Sequence, residues 1–278
     1  MTLRRVSLAG LGLVAGLVAA VPATAQTPPI DSRPRPAAEA PFRTRTASSM
    51  SAAQLIPYDG LQPILRDRVR KVVSQPTLVT HAEAAEFKAS PKTYEWLLDH
   101  PDRVAAAWER AGVECAPISD RGNGRFAYTD DEGSEVVWST IANGAGARVW
   151  YAEGQIRAGR LMPMIPVKAV VVLRHKYQEN AADGPRIHHQ VDAFVQADSR
   201  AAIIVARLFG ATTDRMAEQG AEQMLTFFGA LSKYLTLHPE RSEKLLSPRI
   251  AERKASSEEQ RLKSGAQRAE SKERRPGE

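Results

Sequence analysis

Two stretches near the middle of the chain alternate apolar and polar residues with a period of two, which constrains the fold more than any other feature. Val167, Ala169, Val171, Leu173, His175 and Tyr177 share one side of the first stretch, and Ile187, His189, Val191, Ala193 and Val195 share one side of the second. Successive side chains of a strand point to opposite faces, so each stretch is predicted to be a strand with one buried face. Asn180-Ala181-Ala182-Asp183-Gly184 joins them with residues suited to a turn. Folding the pair over this connection and matching the apolar faces brings His175 opposite His189, both pointing inward.

The same period continues upstream. After Gly122-Asn123-Gly124 come a short strand, 125–129, and two longer ones, 134–141 and 148–156, flanking the hairpin signal Asn143-Gly144. With residues 138 and 150 facing each other, Val136, Trp138, Trp150, Ala152 and Ile156 share one face. Leu161-Met162-Pro163-Met164-Ile165-Pro166 reads as a proline-interrupted connection rather than a central strand, and as the segment best suited to a lid. Residues 77–88 are ambiguous: 78–80 look extended, whereas 82–87 could be helical.

Helices frame these strands. Ser90 can cap a helix that Pro91 opens and that carries Tyr94, Leu97 and Leu98. His100-Pro101 ends it, and a second helix with Val104, Ala107 and Trp108 runs from Asp102 to Gly112. Asp198-Ser199 caps a helical run over 200–209. Thr212 or Thr213 caps a longer helix reaching about Leu237, with Met216, Gly220, Met224, Phe227, Phe228, Leu231 and Leu235 as its buried stripe. Leu61, Ile64, Leu65, Val69, Val72 and Val73 mark a further amphipathic helix. Its other side, Arg66, Arg68, Arg70 and Lys71, reads as a solvated face, with anionic headgroups as the alternative contact.

The run Ala89-Ser90-Pro91, the short helix with Leu97-Leu98-Asp99, then Pro101-Asp102-Arg103 and Trp108 resembles the opening of the START-like (SRPBCC, helix-grip) superfamily. That superfamily includes polyketide cyclases, aromatase-like proteins and lipid-transfer domains. The likeness covers residues 77–237 by element order and 89–108 by sequence. It implies an α+β fold in which an antiparallel β-sheet wraps around a long C-terminal helix and leaves an apolar cavity. It also implies an apolar small molecule or lipid in that cavity. Trp138, Trp150, Tyr177, Met224 and Phe228 are then the candidate lining, with His175 and His189 as polar contacts.

The ends read differently. Arg4-Arg5, an apolar run over 6–21 and Ala23-Thr24-Ala25 resemble a secretory signal peptide cleaved near Ala25, the alternative being a retained anchor. A disordered Pro-rich linker is expected over 26–54, the α+β domain over 55–240 and a disordered charged tail over 241–278. The protein is therefore expected in the periplasm or outside the cell.

Much of the net charge of +6 sits in these ends, so nucleic acid is not expected as a partner, whereas an anionic membrane surface could meet the basic tails. Cys115 is the single cysteine and cannot form an internal disulfide; it reads as a structural thiol. The His175–His189 pair, near Tyr177, is open to two readings: metal or acid–base chemistry, or ordinary strand-end hydrogen bonding. No third ligand with suitable spacing accompanies it, so no metal, cofactor or catalytic residue is assigned. Three functions stay open: a small-molecule or lipid-binding domain, a cyclase- or hydrolase-like enzyme using the His pair, and a cavity-free envelope interaction module.

Overall fold

Alternation along the chain is realised as one antiparallel sheet. The computed structural model describes residues 52–247 apart from 85, 145, 158–162, 179–183 and 198–211. The strands are β1 (Leu78–Glu83), β2 (Phe87–Lys88), β3 (Ile118–Asp120), β4 (Arg125–Thr129), β5 (Glu135–Gly144), β6 (Ala147–Ile156), β7 (Ile165–Gln178) and β8 (Arg186–Ala197). They lie in the order β1-β8-β7-β6-β5-β4-β3, with β2 also paired to β8. His175 pairs with His189 across β7 and β8, in the register that the alternation dictates.

Register in the β5–β6 hairpin differs from the expectation. Trp138 faces Ala152 and Thr140 faces Trp150, with an irregularity between Thr140 and Ala142. Asn143 and Gly144 belong to β5 and so do not form the turn, and Gly146 beyond them has φ +80°. The shift is by an even number of residues, so Val136, Trp138, Trp150, Ala152 and Ile156 still share a buried face. Ile165 and Pro166 also depart from the expected connection, because they begin β7 opposite Ile156 and Gln155. Proline is tolerated there because the pairing of β7 with β8 starts only at Val167, opposite Ala197. The ambiguous segment resolves as β1 and β2.

Each face of the sheet is covered by helices. On the inner face lie α2 (Pro91–Asp99), α3 (Pro101–Arg110) and the long α4 (Thr212–Leu237). The Ser90 side chain accepts a hydrogen bond from the Thr93 amide at 3.4 Å, the cap that the sequence predicts. Ala217, Ala221, Met224, Phe227, Phe228, Leu231 and Leu235 of α4 are buried in the main core with Tyr94, Leu97, Leu98 and the inward residues of the sheet. This is an α+β, helix-grip-like arrangement.

On the outer face α1 (Pro63–Ser74) buries Val69, Val72 and Val73 against Val149, Tyr151, Val170, Val172 and Phe194, joined by Ala52, Ile56 and Leu61. Ile64, expected in this stripe, is 72% exposed. The basic side faces outward: Arg68 pairs with Glu153 at 3.1 Å, and the Arg70 guanidinium lies 5.4 Å from the Tyr58 ring centroid.

The fold extends past both expected boundaries of 55 and 240. Ala52 is fully buried, and α5 (Pro239–Leu246) follows α4, with Leu245 in the main core and its carbonyl accepting from Arg110 Nη1. The expected signal segment, most of the linker, the helix over 200–209, the Met216 side chain and residues 248–278 lie outside the described residues.

Candidate functional site

Inward residues of β5 and β6 meet α4 in an apolar crevice. Trp138 and Trp150 come from the sheet, Met224, Phe227 and Phe228 from the helix, and Pro101 and Ile118 complete the lining. Trp150 and Phe228 stack with centroids 6.2 Å apart and planes 9° apart, while Phe227 meets Phe228 edge-on at 4.9 Å. Trp108 on α3 holds the helix in place by donating its indole N–H to the Phe227 carbonyl at 3.0 Å. The side chains nearly close the space, leaving a cavity of about 10 Å³. That is about what a single water requires. The apolar cavity implied by the superfamily resemblance is narrowed here, among the described residues, by aromatic side chains. Within the apolar lining, Nε1 of Trp150 is buried and has no hydrogen-bond partner among the described residues.

A polar cluster occupies the part of the same face nearest α2. Tyr94 Oη and His189 Nδ1 are 2.7 Å apart and share a proton in a buried hydrogen bond. Tyr177 donates to Glu95 at 2.8 Å, and Arg148 Nη1 pairs with Asp99. Glu95 and Asp99 stand four residues apart on α2, on one side of the helix, and so reach β7 and β6 respectively. His175 is enclosed by the Tyr94 and Tyr177 rings, at 5.6 Å and 5.1 Å between centroids. Its Nε2 is 3.9 Å from Glu95, too far for a hydrogen bond, and both ring nitrogens are without a partner among the described residues. Gly229 of α4 passes directly over His189, where a β-carbon would come within 2.9 Å of Cε1.

Burial dominates the electrostatics. It lowers the His175 pKa, against the pull of Glu95 and with the help of Arg148. It pushes His189 down to about 3, helped by His188 and His175. Burial raises Tyr94 well above its usual range, and burial together with Glu95 raises Tyr177. Near neutral pH the cluster therefore holds two uncharged imidazoles and two intact phenols. Cys115 is half-buried and its thiol is pushed up to about 11 by burial, the opposite of an activated nucleophile. Among the described residues no group of three or more potential metal ligands converges.

The seven candidate residues fall into two neighbouring groups rather than one pocket wall. Trp138, Trp150, Met224 and Phe228 surround the crevice, whereas His175, Tyr177 and His189 form the polar cluster with Tyr94. Trp150 is paired near Val171. His175 lies four residues further along β7, about 13 Å at the usual rise of a strand.

The sequence marks Tyr94 and Phe227 only as apolar-face helix residues, and it does not mark Glu95, Asp99 or Arg148 as members of a site. Arg148 had a signal, since it alternates inward with Trp150. Glu95 and Asp99 had only their helical spacing, which does not reveal what the helix packs on.

No family model matches the chain, and no curated protein does. Solved structures do show similarity. A conserved protein from Geobacillus kaustophilus aligns over 55% of this chain and 96% of its own, at 9% identity and a TM-score of 0.37. A hypothetical protein from Helicobacter pylori aligns over 59% and 93%, at 12% identity and a TM-score of 0.37. The di-domain ARO/CYC BexL from the BE-7585A biosynthetic pathway aligns over 66% of this chain and 55% of its own, at 15% identity and a TM-score of 0.29. These similarities transfer no residue role to the present chain.

Proposed function

We propose that the chain is an exported binding domain that holds an apolar small molecule between the sheet and α4, against Trp138, Trp150, Met224 and Phe228. The observation that carries this reading is the buried indole N–H of Trp150, without a hydrogen-bond partner among the described residues, in a crevice otherwise lined by apolar groups. Buried tryptophan N–H groups normally find an acceptor, and a ligand oxygen would supply one. Apolar surface leaving water is worth about 25 cal/mol per Å², so a ring burying roughly 150 Å² would gain about 4 kcal/mol. Entry requires the crevice to widen. Met224, with three rotatable side-chain bonds, is the lining residue best able to yield.

Export rests on the sequence alone, through Arg4-Arg5, the apolar run and Ala23-Thr24-Ala25. The small cavity favours a second reading, a filled interaction module of the cell envelope whose basic tails meet an anionic surface. Native mass spectrometry of the protein recovered from its exported compartment, followed by denaturing extraction, separates the two. A stoichiometric apolar molecule supports the binding reading. An empty protein whose stability no apolar ligand panel alters overturns it in favour of the module.

A further inference from the structure

Three buried groups on the inner face of β6 and β7 have polar atoms without a hydrogen-bond partner among the described residues: Arg148 Nε, Trp150 Nε1 and both ring nitrogens of His175. Arg148 and Trp150 are two residues apart on β6, on the same side of the strand. Arg148 pairs with Leu173 of β7, and His175 is the next inward residue beyond Leu173. The Arg148 side chain is only 2% exposed. Native interiors seldom leave such groups unpaired, and three neighbours on one face are a stronger signal than one. Apart from one imidazole nitrogen, the unpaired atoms are donors or can carry a proton, so the missing chemistry is an acceptor.

We propose that the ligand of this domain is an apolar carboxylate whose ring lies in the Trp150 crevice and whose acid group is received by Arg148 Nε–H and Trp150 Nε1–H. The proposal rests on the binding reading above and specifies its ligand. A carboxylate offers two acceptor oxygens and no donor, and it matches a guanidinium edge. An amine would set donors against donors, and an alcohol would bring acceptor capacity without charge. Asp99 already pairs with Arg148 Nη1, but its side chain is 43% exposed, so it is screened by water and leaves Nε unserved. One inward step along β6 separates Trp150 from Arg148, about 7 Å at the usual strand rise. That spacing puts the acid of an aryl carboxylate beside the arginine when its ring contacts the indole.

The test uses the full chain labelled with 15N at its four tryptophan indoles. Trp150→Phe assigns the resonance, and the probes are 2-naphthoate and the uncharged 2-naphthalenemethanol. Naphthoate is expected to move the Trp150 indole N–H resonance downfield and to bind at least about tenfold tighter than the alcohol. Arg148→Lys, which keeps the charge but loses Nε–H, is expected to remove most of that preference. Equal affinities for the two probes in the unsubstituted protein would overturn the carboxylate proposal and leave the apolar pocket standing. No movement of the Trp150 resonance with either probe would overturn both.

Discussion

The Tyr94 hydroxyl lies 2.7 Å from Nδ1 of His189, a residue 95 positions away in sequence, and the bond is fully enclosed by α2, the sheet and α4. Tyr94→Phe keeps the ring and leaves a buried imidazole nitrogen without its partner. The substitution is expected to cost about 1–3 kcal/mol. Urea denaturation would show this as a lower midpoint at unchanged slope.

Gly229→Ala inverts an ordinary rule. Alanine in a helix interior is normally about 1 kcal/mol more favourable than glycine. Here its β-carbon would approach His189 Cε1 to 2.9 Å and Nε2 to 3.3 Å. The single variant is expected to melt lower than the parent, and His189→Ala should restore the usual gain. A stabilised single variant would show that α4 can move away from β8.

Acid should loosen the inner face. His175 and His189 take up protons near pH 6.5 when unfolded but only at lower pH in the fold, for His189 at about 3. The unfolded chain thus holds more protons through this window. Their contribution to stability is complete above about pH 6.5 and is lost as pH falls, for His189 toward about 3. For His189 the slope approaches about 1.4 kcal/mol per pH unit. Denaturation midpoints at pH 7.5, 5.5 and 4.5 test this, and His189→Gln should flatten the acid limb. An equal slope in both proteins would assign the acid sensitivity elsewhere.

At Gly154 the backbone of β5 leaves no room for a side chain. An added β-carbon would meet the Glu135 carbonyl oxygen at 2.1 Å and Val136 Cα at 2.7 Å, both backbone atoms with no freedom to turn aside. Gly154→Ala is expected to cost about 3 kcal/mol or more, seen as lost soluble yield or a large fall in thermal midpoint. Gly144→Ala, with nothing within 4 Å, should stay within about 0.5 kcal/mol of the parent.

The outer face separates charge from packing. Arg68 and Glu153 have side chains 47% and 45% exposed, so Arg68→Ala should change stability by less than about 1 kcal/mol. Val72→Asp places a charge in the seam between α1 and Phe194, where Val72 is fully buried. It should unfold the domain or cost several kcal/mol, read by the same denaturation curves.

Much of the fold was legible because strand faces and helix caps are local properties. Alternation alone oriented His175, His189, Trp138 and Trp150 inward, and Ser90-Pro91 marked the start of α2. Local pattern could not supply the β5–β6 register, which stands two residues from the expectation at Trp138 because the strands pair on through Gly144 and slip by one residue between Thr140 and Ala142. Nor could it tell that α1 covers the face opposite α4, since an amphipathic helix shows a stripe but not its destination.

The candidate site divides along the same line. Sequence by itself determined which residues point to the inner face, because a period of two admits only two sides. Tertiary structure decided what they meet there. It placed Glu95 and Asp99 of α2 over Tyr177 and Arg148, closed the crevice to about 10 Å³, and left nitrogens of Arg148, Trp150 and His175 without a hydrogen-bond partner among the described residues. The physical reason is distance along the chain. Partners and free space at a helix–sheet contact depend on how closely two remote segments approach, and no local periodicity encodes that separation.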